Sequence, residues 1–169
     1  MTHLDSAGRP RMVDVGAKAE SVREATARGE VRMKPATLAM VREGRAHKGD
    51  VLAAAQIAGI QAAKRTWEIV PMCHPVPLTG VEMDFDFDAQ QSAVRIRATA
   101  RTVARTGVEM EALTAVVAAA LCVYDMCKAV DREMTITEVW LERKSGGRSG
   151  TWERTPGFAL RKASRDERT

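Results

Sequence analysis

The chain has 169 residues, of which 45% are hydrophobic and 28% are charged, as is usual for a globular protein with one core. Its apolar residues are interrupted too often for a membrane span, and residues 1–12 lack the apolar run of a secretory signal, so a cytoplasmic protein is expected. A formal charge of +4 suits anionic small ligands without requiring nucleic acid, and three cysteines are too few, and odd in number, for a disulfide framework.

Three segments are expected along the chain. Residues 1–12 are interpreted as a flexible N-terminal segment, and residues 13–152 as one folded domain. Residues 153–169 are rich in basic side chains with little periodicity. This pattern favours a disordered, solvated tail over a binding arm.

The first half of the chain shows helical spacing over residues 14–28, bracketed by glycines, and this stretch is interpreted as a mobile or partner-dependent lead-in. Residues 30–34 alternate as a short strand, and residues 35–43 predict a helix that begins with proline and ends before a glycine. Residues 50–70 predict a second helix with an N-capping aspartate. Because it is apolar on nearly every side, we expect it to be buried between layers.

The second half contains the clearest strands. Residues 81–88 and much of 94–102 alternate between polar and apolar side chains, which predicts a hairpin. A long helix is expected over residues 108–130 and a last strand over 134–143. The resulting order, β, helical segment, β, β, α, β, predicts an α+β fold. We expect a ferredoxin-like split βαβ with an antiparallel sheet and helices packed on one face.

Two positively charged positions could take part in chemistry. Lys48 directly precedes a predicted helix whose first amides attract anions, so it can meet a phosphate or act as a general acid; a solvated turn lysine is the alternative. Asp125 and Lys128 are three residues apart on the long helix. The carboxylate can therefore orient the amine for proton transfer, although an ordinary surface ion pair has the same spacing.

The proline-rich segment over residues 71–77 predicts a rigid extended stretch that presents His74 in a fixed direction. Cys73 and His74 are adjacent, so they point opposite ways, and no second spaced pair completes a tetrahedral zinc site. No metal is expected. A purely structural histidine is an equally open interpretation.

The start of the long helix carries two glutamates with different expected roles. Thr106 and Glu109 have the spacing of a capping box, which gives Glu109 a structural role. Glu111 begins a face of small residues that suits close packing against another helix or chain, and hence indicates an oligomer interface. The opposite face, which includes Leu113 and Val117, is expected to be a core stripe.

The loop over residues 144–150 offers Lys144, Arg148 and several unhindered amides, as phosphate-binding loops do. It lacks the full P-loop pattern. A flexible exit from the domain is the alternative.

Together these segments resemble the MoaC family in order and spacing over about residues 10–152. The motifs that carry the resemblance are Met12-Val13-Asp14-Val15, His47-Lys48-Gly49-Asp50, the run 59–66, Cys73-His74-Pro75, and the segments 106–114, 125–129 and 144–150. The resemblance implies a ferredoxin-like subunit and a homohexamer, built as a trimer of dimers with active sites at the dimer interface.

The resemblance also implies an activity without a cofactor. It is the conversion of a carbon-bridged cyclic GTP derivative, 3',8-cyclo-7,8-dihydroguanosine 5'-triphosphate, to cyclic pyranopterin monophosphate and pyrophosphate, a step of molybdenum cofactor biosynthesis. The implied catalytic residues are Asp125, Lys48 and Lys128. The implied substrate-binding residues are Met72, Cys73, His74, Glu109, Met110, Glu111 and Lys144. Arg148 stands where many relatives have lysine, which keeps the charge but changes its geometry.

Two other classes of function make different predictions. An RNA-binding module would carry aromatic side chains on its sheet face, but Phe85 and Phe87 share a strand face that alternates with acids and are expected to belong to the core. A metal-dependent nucleotide hydrolase would need a ligand cluster, which the sequence does not show.

The positions of Glu111 and Asp125 predict how a site is assembled. They are separated by 14 residues on one helix, hence by about 21 Å along its axis, too far for one compact reaction centre. We therefore hypothesise that each site takes the Glu111 end from one subunit and the Asp125 end from its two-fold partner. The alternative is that an extended triphosphate bridges the gap within one subunit.

Overall fold

The computed structural model describes residues 4–5 and 7–155. Within them lie five strands and four helices, in the order β1 (Ser21–Arg32), α1 (Pro35–Arg42), α2 (Val51–Ala63), α3 (Thr66–Ile69), β2 (Leu78–Asp88), β3 (Ala93–Ala104), α4 (Glu109–Cys127), β4 (Thr135–Ser145) and β5 (Trp152–Glu153). The strands form one antiparallel sheet in the order β2-β3-β1-β4-β5. The α+β, ferredoxin-like prediction is confirmed.

The core lies between one face of the sheet and helices α2 and α4. Helix α4 packs on β1, β3 and β4, and α2 packs on β2 and on α4. Small and β-branched side chains such as Ala27, Val31, Ile96 and Ala98 fill this face and are completely or almost completely buried. The other face carries cross-strand ion pairs, so alternation along each strand separates core from solvent.

The prediction for residues 14–28 is wrong beyond Ser21, because β1 runs from Ser21 to Arg32 as an interior strand. The strand expected over residues 30–34 overlaps only the C-terminal end of β1. The inner face of β1 offers Ala25, Ala27 and Gly29 instead of the β-branched residues that signal a strand. A Cβ atom at Gly29 would lie 2.6 Å from Cγ1 of Val116, so the small residues let α4 approach the sheet closely.

Helix α2 is shorter and less buried than predicted. Asp50 is its N-cap, as expected, and its Oδ1 accepts hydrogen bonds from the amides of Leu52 and Ala53. The helix ends at Ala63, and the short α3 follows. The prediction that α2 is buried between layers is wrong: one side packs on α4, while Ile57 on the other side is 61% exposed.

Two predictions for α4 are also wrong. The expected capping box does not form, because α4 begins at Glu109 with Val108 as its N-cap and without a side-chain cap. The expected core stripe is only partly core: its member Ala120 is fully buried, but Val117 is 39% exposed. The buried face of α4 instead includes Ala112 and Val116. The alanine-rich helix satisfies several packing faces equally well, so its pattern does not select one. Its length and apolar composition would suit a membrane span, but α4 packs here on three strands and α2.

The face of α4 that begins with Glu111 packs on α2 of the same chain. A Cβ atom at Gly59 would lie 2.9 Å from the main-chain oxygen of Ala115 and 2.8 Å from Cε of Met83. The predicted small-residue contact therefore exists, but the oligomer interface expected on this face is wrong, because the partner is a helix of the same subunit. A glycine allows this close helix crossing.

Replacing Gly59 with alanine will destabilise the protein by about 1–3 kcal/mol, because the added methyl group overpacks the α2–α4 contact. Urea unfolding followed by circular dichroism measures the change. Gly80→Ala is the matched control, since a Cβ atom at Gly80 meets open space, and its effect should stay within about 0.5 kcal/mol. Equal stability of the two variants would contradict the close contact.

Candidate active site

Lys48, Asp125 and Lys128 meet as a triad at the C-terminal end of α4. Lys128 Nζ lies 2.6 Å from Asp125 Oδ1, and Lys48 Nζ lies 2.7 Å from Asp125 Oδ2. Lys48 Nζ also donates a hydrogen bond to the main-chain oxygen of Asp125 at 3.0 Å. All three side chains are about half exposed, so the triad can be reached by a ligand.

The local fold explains how Lys48 reaches α4. Gly49, with φ of 95°, ends the turn that carries Lys48 just before α2. Helices α2 and α4 run antiparallel, because the middle of α2 contacts Ala115 while the turn before α2 meets the end of α4. Lys48, just before the start of α2, is thereby placed next to Asp125, near the end of α4.

The triad contains a carboxylate that stays ionised. Hydrogen bonds and charge from Lys128, and then from Lys48, lower the pKa of Asp125 to about 2. At neutral pH Asp125 is therefore an acceptor that orients two ammonium groups, and the protons available for transfer are those of the lysines.

A cavity of about 310 Å³, which we call the Glu111 pocket, lies at the opposite end of α4. It contains six of the seven residues expected to bind substrate. Its lining comprises Val13, Val15, Lys18, Met72, Cys73, His74, Val76, Thr106, Gly107, Glu109, Met110 and Glu111. The proline-rich segment and the first turn of α4 thus converge, as the family resemblance implied, whereas Lys144 is not part of this lining.

The surroundings of the Glu111 pocket raise the pKa values of two acidic side chains that line it. Burial raises the pKa of the Glu111 carboxyl, which is 4% exposed, and the charge of Glu109 raises it further. Burial also raises the pKa of the Cys73 thiol, and Glu111 adds to that effect. Both groups can therefore act as hydrogen-bond donors toward a bound base more readily than free carboxyl or thiolate groups would.

Lys144 lies at the end of β4, where it pairs with Ala25 of β1, and its Nζ contacts the hydroxyl of Ser149. Gly146, with φ of 91°, follows. A Cβ atom there would lie 2.1 Å from the oxygen of Val22, so the turn requires glycine. The loop places Arg148 in a second cavity of about 470 Å³.

Lys18 was missed by the sequence interpretation. It lines both the Glu111 pocket and the cavity of Arg148, and so connects the loop after β4 to the rest of the pocket. It lies in the stretch interpreted as a mobile lead-in, and a single lysine there carries no signal of its own. Only the neighbouring motif over residues 12–15 pointed to this region.

Comparison with known proteins identifies the family of the chain. The family model of the MoaC family matches residues 12–147. The chain belongs to the MoaC family. It is similar to proteins named cyclic pyranopterin monophosphate synthase from Thermomicrobium roseum, at 62% identity over 91% of this chain and 93% of the relative, and from Roseiflexus sp., at 63% over 89% and 95%. The relative of the same name from Thermoanaerobacter pseudethanolicus is 56% identical over 91% and 98%.

In this MoaC-family chain the predicted residues form two separate groups and a flanking loop. Glu111 and Asp125 occupy the two ends of α4, about 21 Å apart along the helix axis. The triad and the Glu111 pocket share no lining residue. Within the described part of one subunit, the predicted residues therefore do not converge on one compact centre.

Other features of the described residues do not form a competing site. A cavity of about 640 Å³ lies on the outer face of the sheet, but Arg28 and Arg97 in its wall are both paired with Glu142. Phe85 and Phe87 pack against the core, which confirms their predicted place. No group of three metal-binding side chains is found in residues 4–5 and 7–155, and the expected absence of a metal stays a prediction.

Replacing Lys128 with methionine will raise the pKa of Asp125 from about 2 toward its ordinary value of 3.8, stopping short of it because Lys48 remains. A carbon-13 NMR titration of the carboxyl group measures this. The sign of the linkage follows: the ion pairs of Asp125 stabilise the wild-type fold above pH 3.8, and this contribution is lost as the pH falls through about 2.

Lys34→Met is the control, since Lys34 is an exposed, ion-paired lysine whose partners are Asp131 and Glu133. It should leave the Asp125 titration unchanged. A Lys128→Met protein that titrates like the wild type would remove Lys128 from the triad.

Proposed function

We propose that the protein is a cyclic pyranopterin monophosphate synthase of molybdenum cofactor biosynthesis. It converts 3',8-cyclo-7,8-dihydroguanosine 5'-triphosphate to cyclic pyranopterin monophosphate and releases pyrophosphate, as a lyase. The observation that carries the proposal is the lysine–aspartate–lysine triad in a chain that is 62% identical to a relative of that name over 91% of its length.

The chemistry of the substrate fits the charges of the two groups. Forming the cyclic phosphate requires a hydroxyl oxygen of the substrate to attack the α-phosphorus while the bond to the leaving pyrophosphate breaks. Ammonium groups stabilise the charge that develops on the phosphate oxygens, and they can donate protons during the ring rearrangement. We assign catalysis to Lys48, Asp125 and Lys128.

The Glu111 pocket supplies the groups that recognise the rest of the substrate. Burial raises the pKa of the Glu111 carboxyl, which favours its protonated form; in that form the group can donate to a ring nitrogen or carbonyl of the base and accept at its other oxygen. We assign substrate binding to Met72, Cys73, His74, Glu109, Met110, Glu111 and Lys144. Lys18 and Arg148 extend this set toward the phosphates, because their cavities adjoin.

Each site combines the triad of one subunit with the Glu111 pocket of its two-fold partner. The length of α4 supports this arrangement, and so do exposed apolar side chains on both helices: Val117 and Leu121 on α4 and Ile57 on α2 are 39%, 56% and 61% exposed. Such side chains suit burial against a second subunit. Antiparallel packing of two such faces brings opposite helix ends together.

The full assembly is a homohexamer, a trimer of these dimers, of about 111 kDa from chains of 18.5 kDa. Residues 13–152 form its single catalytic domain, and it acts in the cytoplasm without a cofactor. The predicted tail of residues 153–169 lies mostly outside the described residues; of its first part, Glu153 belongs to β5.

Lys48→Ala will lose turnover while keeping its melting temperature within a few degrees, because a half-exposed lysine contributes little to packing. The assay supplies the cyclised GTP substrate and follows pyrophosphate together with an oxidisable pterin. Lys34→Ala, at another exposed ion-paired lysine, should retain activity. If the wild-type protein released pyrophosphate without forming pterin, the proposed synthase function would be wrong and a hydrolase function would take its place.

Mixing two inactive proteins tests the shared site. Glu111→Ala and Asp125→Ala subunits are unfolded and refolded together in equal amounts. With random pairing, half of the dimers are mixed and each has one intact site of two, so activity should recover to roughly a quarter of the wild type. If each chain owns a complete site, activity stays at the level of the separate variants although oligomers form.

A further inference from the structure

Residues 13–16, which we call the strap, form one wall of the Glu111 pocket. The strap belongs to no strand or helix, and Val13 lines the pocket together with His74 and Glu111. Asp14 Oδ1 accepts a hydrogen bond from the Gly16 amide at 2.7 Å, which folds the strap into a turn. Its position relative to the pocket therefore depends on contacts with other segments.

Two side chains beside the pocket hold the strap. The ring nitrogen Nε2 of His74 lies 2.8 Å from the main-chain oxygen of Val13, and Arg105 Nη1 donates to the oxygen of Gly16 at 2.9 Å. His74 belongs to the rigid proline-rich segment, and Arg105 directly precedes the loop that enters α4. The strap is thus held by hydrogen bonds from two different segments, one on each side of the pocket.

The contact with Val13 determines which nitrogen of His74 carries a proton. A carbonyl oxygen can only accept, so Nε2 must be the donor. In a neutral imidazole the other nitrogen, Nδ1, is then an acceptor. Nδ1 has no hydrogen-bond partner within the described part of the chain.

We propose that the strap is a positioning element: the Val13 carbonyl holds His74 as the Nε2–H tautomer, so that Nδ1 is the atom that His74 offers to a ligand in the Glu111 pocket. The proposal rests on the proposed function only in taking this ligand to be the substrate. A donor group of the substrate, such as a hydroxyl or a ring N–H, matches a neutral Nδ1.

Glutamine and asparagine at position 74 separate the two nitrogens. The amide nitrogen of glutamine can reach the place of Nε2 and donate to Val13, whereas that of asparagine is one bond shorter and reaches only the place of Nδ1. His74→Gln should therefore keep the strap fastened, and His74→Asn should release it.

Trypsin cleavage after Lys18, followed by mass spectrometry of the native protein, measures release of the strap. His74→Asn and Arg105→Met should be cleaved roughly fivefold faster than the wild type, as expected when one ordinary hydrogen bond no longer holds the closed state. His74→Gln should be cleaved at the wild-type rate. Arg143→Met, which removes an ion-paired arginine from the outer sheet face, is the control and should also match the wild type. Equal cleavage rates in all variants would contradict the proposal that His74 and Arg105 hold the strap in place.

The tautomer is read by nitrogen-15 NMR of histidine-labelled wild-type protein, at a pH at which the same spectra show the His74 ring to be neutral. The chain has three histidines, so His3→Gln and His47→Gln identify the resonances of His74. We expect a protonated Nε2 and a bare Nδ1. A bare Nε2 would overturn the proposal. Both measurements are made without substrate, so their failure is distinct from a failure to form pterin.

Discussion

Helix α4 is a rigid rod, and its length is the constraint on which the organisation of this protein depends. The sheet packs along it, the proline-rich segment meets its first turn, and the turn before α2 meets its end. Acidic, buried chemistry at Glu111 and charged, exposed chemistry at Asp125 are thereby kept about 21 Å apart. Within one subunit each group therefore has its own environment: burial surrounds Glu111, and two ammonium groups surround Asp125.

The close crossing of α2 over α4 turns this separation into defined geometry. Gly59 allows the helices to approach at Ala115, and the antiparallel direction then delivers Lys48 to Asp125. A small shift of α2 would move the lysine directly, since the turn that carries it is anchored to the helix by Asp50. The packing of the two helices therefore determines the position of the Lys48 ammonium group.

The sequence predicted those elements whose signal is local. The hairpin of β2 and β3 alternates clearly, and the spacing of Asp125 and Lys128 placed two members of the triad on one helix face. Strand β1 escaped prediction because its inner residues are alanine and glycine, selected by the approach of α4 and not by strand propensity. Lys18 escaped prediction because a single lysine carries no signal of its own, and its place depends on how that strand enters the sheet. The faces of α4 were misassigned because alanine fits any of them.

The place of β1 in the sheet affects how the chain folds while it is being synthesised. It is the first strand to leave the ribosome, yet its neighbours are β3 and β4, whose residues 93–104 and 135–145 are made much later. Until they emerge, both edges of β1 lack hydrogen-bond partners. Long-range pairing of this kind is slow, and a nascent chain that stalls before β4 leaves one edge open to other chains. The arrangement that buries β1 in the finished protein therefore leaves its edges open to other chains during synthesis.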